Sequence, residues 1–521
     1  MPSLSLPAAV TCLCILAWVA DRWRKYRRAL ALIGNYPGLR LVFGPSSYAG
    51  KGHCCVFNLL TVLSSVMGNI LPRIRHVSAG NTFFWESKHH IFDRVGSEIY
   101  GFAFIFPPTS TLMVADSGAM KHMSYPQISG FRKHPEDYAI LNQFGSNLLV
   151  TEGEEWKRQR RICAPAFSDA SKNNRLVWST AKEFTNAMVD TWASGKPIFV
   201  HDVCEDATTP LALCVIAKAG FGKEVQWGND SIPEGYRLSF KEALLTVSSN
   251  MVVIFIMPNW AWGLRKSWRD VRLACDELKI YLRKMIDARR ETKEQGADQV
   301  TGQKHDLFNL LIHARDANDK LSEDELIGNI WVFLVAGHET TGHTMAIALG
   351  LLALYPEAQD KLVQQIKQLE SEHGNIALIL SRRATTDTTL TFGHGPNART
   401  IHVPASTHAY MLPTGLHYSP SYWDEPEEFK PDRFMDPHWN RDAFVAFSLG
   451  PRACIGRRFA ETTLVAGLSV LISKYQISID ESRFKPILGE SMTERRTRLI
   501  RLSVKLTLTP AAIPLIFTPR T

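Results

Sequence analysis

Residues 447–456 read Phe447-Ser448-Leu449-Gly450-Pro451-Arg452-Ala453-Cys454-Ile455-Gly456. Gly450 and Gly456 permit backbone conformations, and a close approach to a flat ligand, that other residues resist. Cys454 stands just before a stretch in which Phe459, Thr463, Ala466, Gly467 and Val470 recur near helical spacing. The positive end of such a helix favours thiolate over thiol. Arg452 offers a forked donor suited to a carboxylate. The plain alternative is an ordinary loop with a cysteine as small apolar filler.

The stretch resembles the FxxGxRxCxG haem-binding signature of the cytochrome P-450 family, whose fixed positions are met by Phe447, Gly450, Arg452, Cys454 and Gly456. Five such matches arise by chance in a chain of this length with odds on the order of one in ten thousand. The resemblance implies haem b (heme b, iron protoporphyrin IX) as cofactor, with Cys454 as the axial thiolate ligand of its iron. It makes Phe447, Gly450, Arg452 and Gly456 cofactor-binding residues. A thiolate on haem iron pushes electron density that favours O–O cleavage.

Upstream, Ser322-Glu323-Asp324-Glu325 has the form of a helix capping box, and the apolar run from Leu326 to Leu354 ends before Pro356. The spacing predicts one long, mostly buried helix. Mid-way lies Ala336-Gly337-His338-Glu339-Thr340-Thr341. A small-residue pair lets a ligand approach, and an acid beside a hydroxyl can relay protons. The alternative is a packing glycine and a threonine bonded back to its own helix. The segment looks like the family's AGx(D/E)T element, which implies that Glu339 and Thr340 are catalytic in oxygen activation and proton delivery. His338 and His343 read as packing or surface residues.

Further upstream, Gly153-Glu154-Glu155-Trp156-Lys157-Arg158-Gln159-Arg160-Arg161 is similar to the family's WxxxR element. Trp156 and Arg160, four apart, share a helix face, and the resemblance sets both at a haem propionate. Lys157 to Arg161, with Arg457 and Arg458, offer a docking face for an acidic reductase or simply a solvated basic surface. Phe429-Lys430-Pro431-Asp432-Arg433-Phe434 is similar to the PxRF element. The family pairs that arginine with an ExxR helix, and no Glu-x-x-Arg occurs between Thr341 and Phe429. A helix and its flanks, on the order of 30 residues, are expected to be missing near residues 370–385. A buried Arg433 without its carboxylate is then expected to cost about 3–5 kcal/mol.

The 521 residues, 45% of them hydrophobic, suffice for a large core, and no linker, repeat or low-complexity tract divides them. The expected fold class is mainly α with minor β: by resemblance, a cytochrome P-450 fold behind an N-terminal transmembrane helix. Residues 1–28 form the anchor and its basic flank, and residues 29–521 the haem-binding catalytic domain. Residues 52–74 are a candidate second membrane contact. Leu4–Ala20 is uncharged and is followed by Arg22, Arg24, Lys25, Arg27 and Arg28. The positive-inside rule then leaves the body in the cytosol. A single-pass protein of the endoplasmic reticulum membrane is expected, resembling fungal microsomal members. Leu244–Met257 reads equally as an interfacial patch or a core helix. Nine cysteines lack any CxxC or paired spacing, which speaks against a zinc site or a disulfide framework. The net charge of +8 is mild and lacks the basic-aromatic interleaving of nucleic-acid binders.

The implied function is a haem-thiolate monooxygenase. It inserts one atom of O2 into a small apolar substrate (a terpenoid, another secondary metabolite or a xenobiotic) with electrons from NADPH through a reductase. The competing reading, motivated by the absent ExxR, is a catalytically impaired haem-binding pseudoenzyme or a truncated gene model.

Overall fold

The computed structural model describes residues 6–43, 83–106, 108–167, 173–192, 195–223, 225–228, 231–294, 307–316, 321–366, 380–393, 395–504 and 507–520. The chain divides into two compact units, each built from two stretches: 1–137 with 377–453, and 138–376 with 454–521. Residues 52–74, and 370–379 of the 370–385 stretch expected to flank a deletion, lie outside the described residues.

The first unit is organised by a six-stranded mixed sheet in the order Gly38–Phe43, Ile99–Phe106, Thr109–Val114, His408–Met411, Leu380–Ala384, Phe131–Arg132. Ile99–Phe106 is almost continuously apolar because both its faces are covered. Phe83, Phe92 and Phe104 pack with Phe102 and Tyr100, while Ile99 packs with Leu112, Val114 and Met120. From residue 418 to 449 the described backbone forms only short 3-10 turns. Rings hold this stretch instead: Trp423 stacks on Trp439 (6.2 Å), and Phe434 meets Trp439 (5.5 Å) and Phe444 (5.8 Å).

The N-terminal segment is one helix, Leu6–Leu32. Trp18 stacks on Phe106, and Ser110 Oγ donates to the Ala29 carbonyl at 2.5 Å. Among the described residues, no helix is long and apolar enough to cross a membrane. Over its described part, Leu6–Ala20, the expected transmembrane segment is helical. Charged residues follow at once, and Tyr26 and Ala29 are buried in the unit's own core.

The second unit is mostly helical. Ser322 and Glu325 form both halves of the expected capping box, and the long helix runs Glu323–Leu354. Its neighbours include Thr209–Val215, flanked by π-helical turns at Cys204–Thr208 and Ile216–Gly220, and Arg457–Lys474. Tyr475–Ile479, Leu515–Pro519 and Ile198–Val200 form a three-stranded antiparallel sheet. Leu502–Val504 and Leu508–Pro510 make a hairpin. That hairpin and Leu515–Pro519 thus belong to two different sheets. Leu244–Met257 is not one helix, because Asn250 ends helix Phe240–Ser249 and a short helix, Met251–Ile256, follows. Cys163, Cys204, Cys214 and Cys275 are buried as filler, whereas Cys12 and Cys14 are exposed on the N-terminal helix.

Candidate active site

The fixed positions of the cysteine loop divide between the units, because the chain passes from one to the other at 453/454. In the first unit Phe447 is buried and Arg452 half-buried. Gly450 has φ +66°, and a Cβ there would stand 2.8 Å from the Ser124 carbonyl oxygen. Ser448, at φ +64°, buries a hydroxyl with no hydrogen-bond partner.

In the second unit Cys454 is exposed, and helix Arg457–Lys474 begins three residues later with Gly456 at its N-cap. Surrounding protein pushes the Cys454 thiol up, against the opposing pull of the Gly456 N–H and the Arg160 guanidinium. Arg160 lies 5.7 Å over the Trp156 ring on helix Gly153–Cys163, so these two are brought together as the spacing implied.

The long helix is buried along most of its length, yet Ala336 is exposed, and Gly337, Thr340 and Thr344 are half-exposed. The exposed strip lies at the expected element. Two details match the packing alternative. A Cβ on Gly337 would stand 2.9 Å from Ile216 Cγ1. Thr340 Oγ1 donates to the Ala336 carbonyl at 2.7 Å. Glu339 is buried and accepts from Thr507 Oγ1 at 3.1 Å, and Thr507 Oγ1 also lies 3.1 Å from His343 Nδ1. His338 is buried, as the packing reading held. Burial pushes its pKa down to about 4, and its Nδ1 bonds the Leu334 carbonyl.

The basic face is thinner than the sequence suggests. Arg158 is committed to buried Glu325, Lys157 pairs with Glu154 at 2.6 Å, and both Arg457 and Arg458 pair with Glu461. Arg433 is not the uncompensated charge expected of it. It is half-buried, and its guanidinium donates to the carbonyls of Lys430, Asp424, Glu425 and Glu428. The loop's own backbone supplies what a missing glutamate does not.

Sequence reasoning missed Thr507 as the partner shared by Glu339 and His343, and Gln159 and Asn329 as buried polar residues. A lone asparagine in the apolar run Leu326-Ile-Gly-Asn-Ile-Trp331 was the available signal for one of them.

The family model for cytochrome P-450 matches residues 77–378 and 374–504. The chain belongs to the cytochrome P-450 family. It is similar to cytochrome P-450 monooxygenase 124 of Postia placenta, 36% identical over 534 aligned positions that cover 95% of this chain and 96% of the relative. A cytochrome P-450 monooxygenase of Penicillium roqueforti is 28% identical over 76% of this chain and 78% of its own. In fold, the chain resembles the crystal structure of a cytochrome P-450 haem domain, with a TM-score of 0.67 at 19% identity over 93% of this chain and 99% of the other. This P-450 is thus a monooxygenase, and its family implies a haem cofactor. The residues of the second unit fit that group: an exposed sulfur beside a backbone N–H and a cation, and an exposed strip on an otherwise buried helix.

Proposed function

We propose that this P-450 inserts one atom of O2 into an apolar organic substrate of the terpenoid, secondary-metabolite or xenobiotic kind. The other atom leaves as water, with two electrons from NADPH supplied through a reductase. When bound, haem supplies the iron at which O2 is reduced, and the thiolate of Cys454 favours O–O cleavage there. Arg160, Trp156 and Arg452 would hold its propionates, Phe447, Gly450 and Gly456 would shape the loop, and Thr340 with Glu339 would carry protons toward the exposed strip. The observation that carries this reading is the sulfur of Cys454, exposed and flanked by the Gly456 N–H and Arg160. Purified protein, reduced under carbon monoxide, should give the red-shifted Soret band of a thiolate-ligated haem. Folded protein without that band, with haem supplied, rules out an active monooxygenase.

One observation favours the impaired or truncated reading. The family match comes in two stretches that meet at 374–378, and the alignment to the Postia placenta relative is longer than the chain itself. The relative therefore carries positions that this chain lacks. Sequencing the transcript across 366–380 separates the cases: an extra in-frame segment with Glu-x-x-Arg makes the loss an error of the gene model. We also propose that Leu4–Ala20 anchors the protein in the endoplasmic reticulum membrane, with the body cytosolic. Deleting residues 1–28 should then release the chain from the membrane fraction.

A further inference from the structure

The first two turns of the long helix carry a buried polar network. The Glu325 carboxylate accepts from Arg158 through both terminal guanidinium nitrogens, from Gln159 Nε2 at 3.2 Å and from the Ser322 N–H at 2.8 Å. Burial pushes this carboxyl up, but the donors from Arg158, Ser322 and Gln159 outweigh it and leave it below the usual range. One turn on, Asn329 Nδ2 donates to Gln159 Oε1 at 3.1 Å, and Asn329 Oδ1 accepts the Leu148 N–H at 3.0 Å. Gln159 and Asn329 are both wholly buried.

The same turns grip the loop before helix Gly153–Cys163. Asp324 accepts the Ser146 N–H at 2.9 Å, and a Cβ on Gly328 would stand 2.5 Å from the Gly145 carbonyl oxygen. Asn147 ties the loop to itself by donating to the carbonyls of Leu141 and Gly145. Gln159 directly precedes Arg160 and lies one turn after Trp156. A helix is stiff over that distance, so whatever fixes Gln159 fixes the rotation of Trp156 and Arg160.

We propose that Glu325 and Asn329 are positioning residues. They lock helix Gly153–Cys163, and with it Arg160 beside Cys454, to the helix that carries Glu339 and Thr340, and they pin loop 145–148 to the same frame. The proposal rests on the reading of Cys454 and Arg160 as haem-flanking. It goes beyond that reading in naming residues that touch neither cofactor nor substrate. The chemistry is that of a fully satisfied polar network. Each group removed strands a buried partner, so the network holds one geometry.

The test uses the full chain as purified. Asn329→Leu strands Gln159 and the Leu148 N–H, and amide exchange across 145–163 should rise by about tenfold to a hundredfold. Exchange in helix Arg457–Lys474 should stay unchanged. In the haem-loaded chain the same variant should lose part of the thiolate-type carbon monoxide band. Glu325→Gln keeps the capping box but weakens the bonds from Arg158 and Gln159, and should raise exchange in 153–163 by about fivefold. It decides the matter if Asn329→Leu does not fold. In Gln159→Leu/Asn329→Leu both polar partners become apolar. Protection of 153–163 should return. Unchanged exchange in 145–163, or an equal rise in every helix, overturns the proposal. A wild-type chain lacking the thiolate-type band overturns the haem reading instead, because the exchange arm does not depend on haem.

Discussion

Arg433 Nη1 donates to the Asp424 carbonyl oxygen at 2.7 Å, across a loop that closes around the guanidinium. The carbonyls of Glu425, Glu428 and Lys430 complete the shell at 3.1 Å each. In a chain with no Glu-x-x-Arg between Thr341 and Phe429, the arginine acts as a plug for outward-turned carbonyls rather than as half of an ion pair. Arg433→Ala leaves those carbonyls to water and should cost roughly 2 kcal/mol locally, a roughly thirtyfold faster amide exchange across 424–434. Arg433→Lys should recover less than half, because a point charge cannot reproduce the planar fork. Equal protection in Lys and Arg forms would show that charge alone holds the loop.

Two buried histidines set an acid limit. Burial pushes His417 in the first unit and His338 in the second down to about 4. An unfolded histidine titrates near ~6.5. The folded value lies below the unfolded one, so the stability each contributes is complete above about 6.5 and is lost as pH falls toward 4. The loss reaches about 3 kcal/mol per group at its lower end. His417 Nε2 accepts the Val445 N–H at 3.0 Å, a role that glutamine can take without a titrating ring. His417→Gln should flatten the pH dependence of exchange around 417–445 between about pH 6.5 and 4. An unchanged slope would acquit His417.

The helix pairing in the second unit makes a steric prediction. A Cβ on Gly342 would stand 2.7 Å from Thr209 Cα, a backbone atom that cannot step aside. A Cβ on Gly337 would meet the Ile216 side chain, which can. Gly342→Ala should therefore cost about 1–3 kcal/mol, and Gly337→Ala less. Ile216→Ala added to Gly337→Ala should recover part of that loss. Calorimetric unfolding of the four proteins checks the order, and a Gly337→Ala loss unaffected by the Ile216 change would show that the contact is not the cause.

What was legible in the sequence was local. The cysteine loop, the capping box at Ser322 and Glu325, and the Trp156–Arg160 pair each lie within a dozen residues and follow from spacing. What was not legible depended on the fold. Thr507 reaches Glu339 across 168 positions, and no pattern announces a hydroxyl on a hairpin turn. The carbonyl shell of Arg433 is near in sequence but made of backbone, which every residue shares. Gly337 stayed open between two readings for a related reason: a glycine signals close approach without saying what approaches.

Thr340 carries the last prediction. Its hydroxyl is turned back into its own helix toward Ala336, while the neighbouring Glu339 is held by Thr507. To pass a proton outward, Thr340 must give up the bond to Ala336, an exchange that costs little because a water or substrate hydroxyl replaces it. Thr340→Val keeps the shape and removes the relay, whereas Thr340→Ser keeps both donor and acceptor. With any substrate the wild type oxidises, the Val variant should still consume NADPH but release hydrogen peroxide, and product should fall by about a hundredfold. The Ser variant should retain most of its yield. The carbon monoxide band should survive in both, since the Cys454 loop is unaltered. Equal product per NADPH in Val and wild type would remove Thr340 from proton delivery and leave it the packing role its hydrogen bond already satisfies.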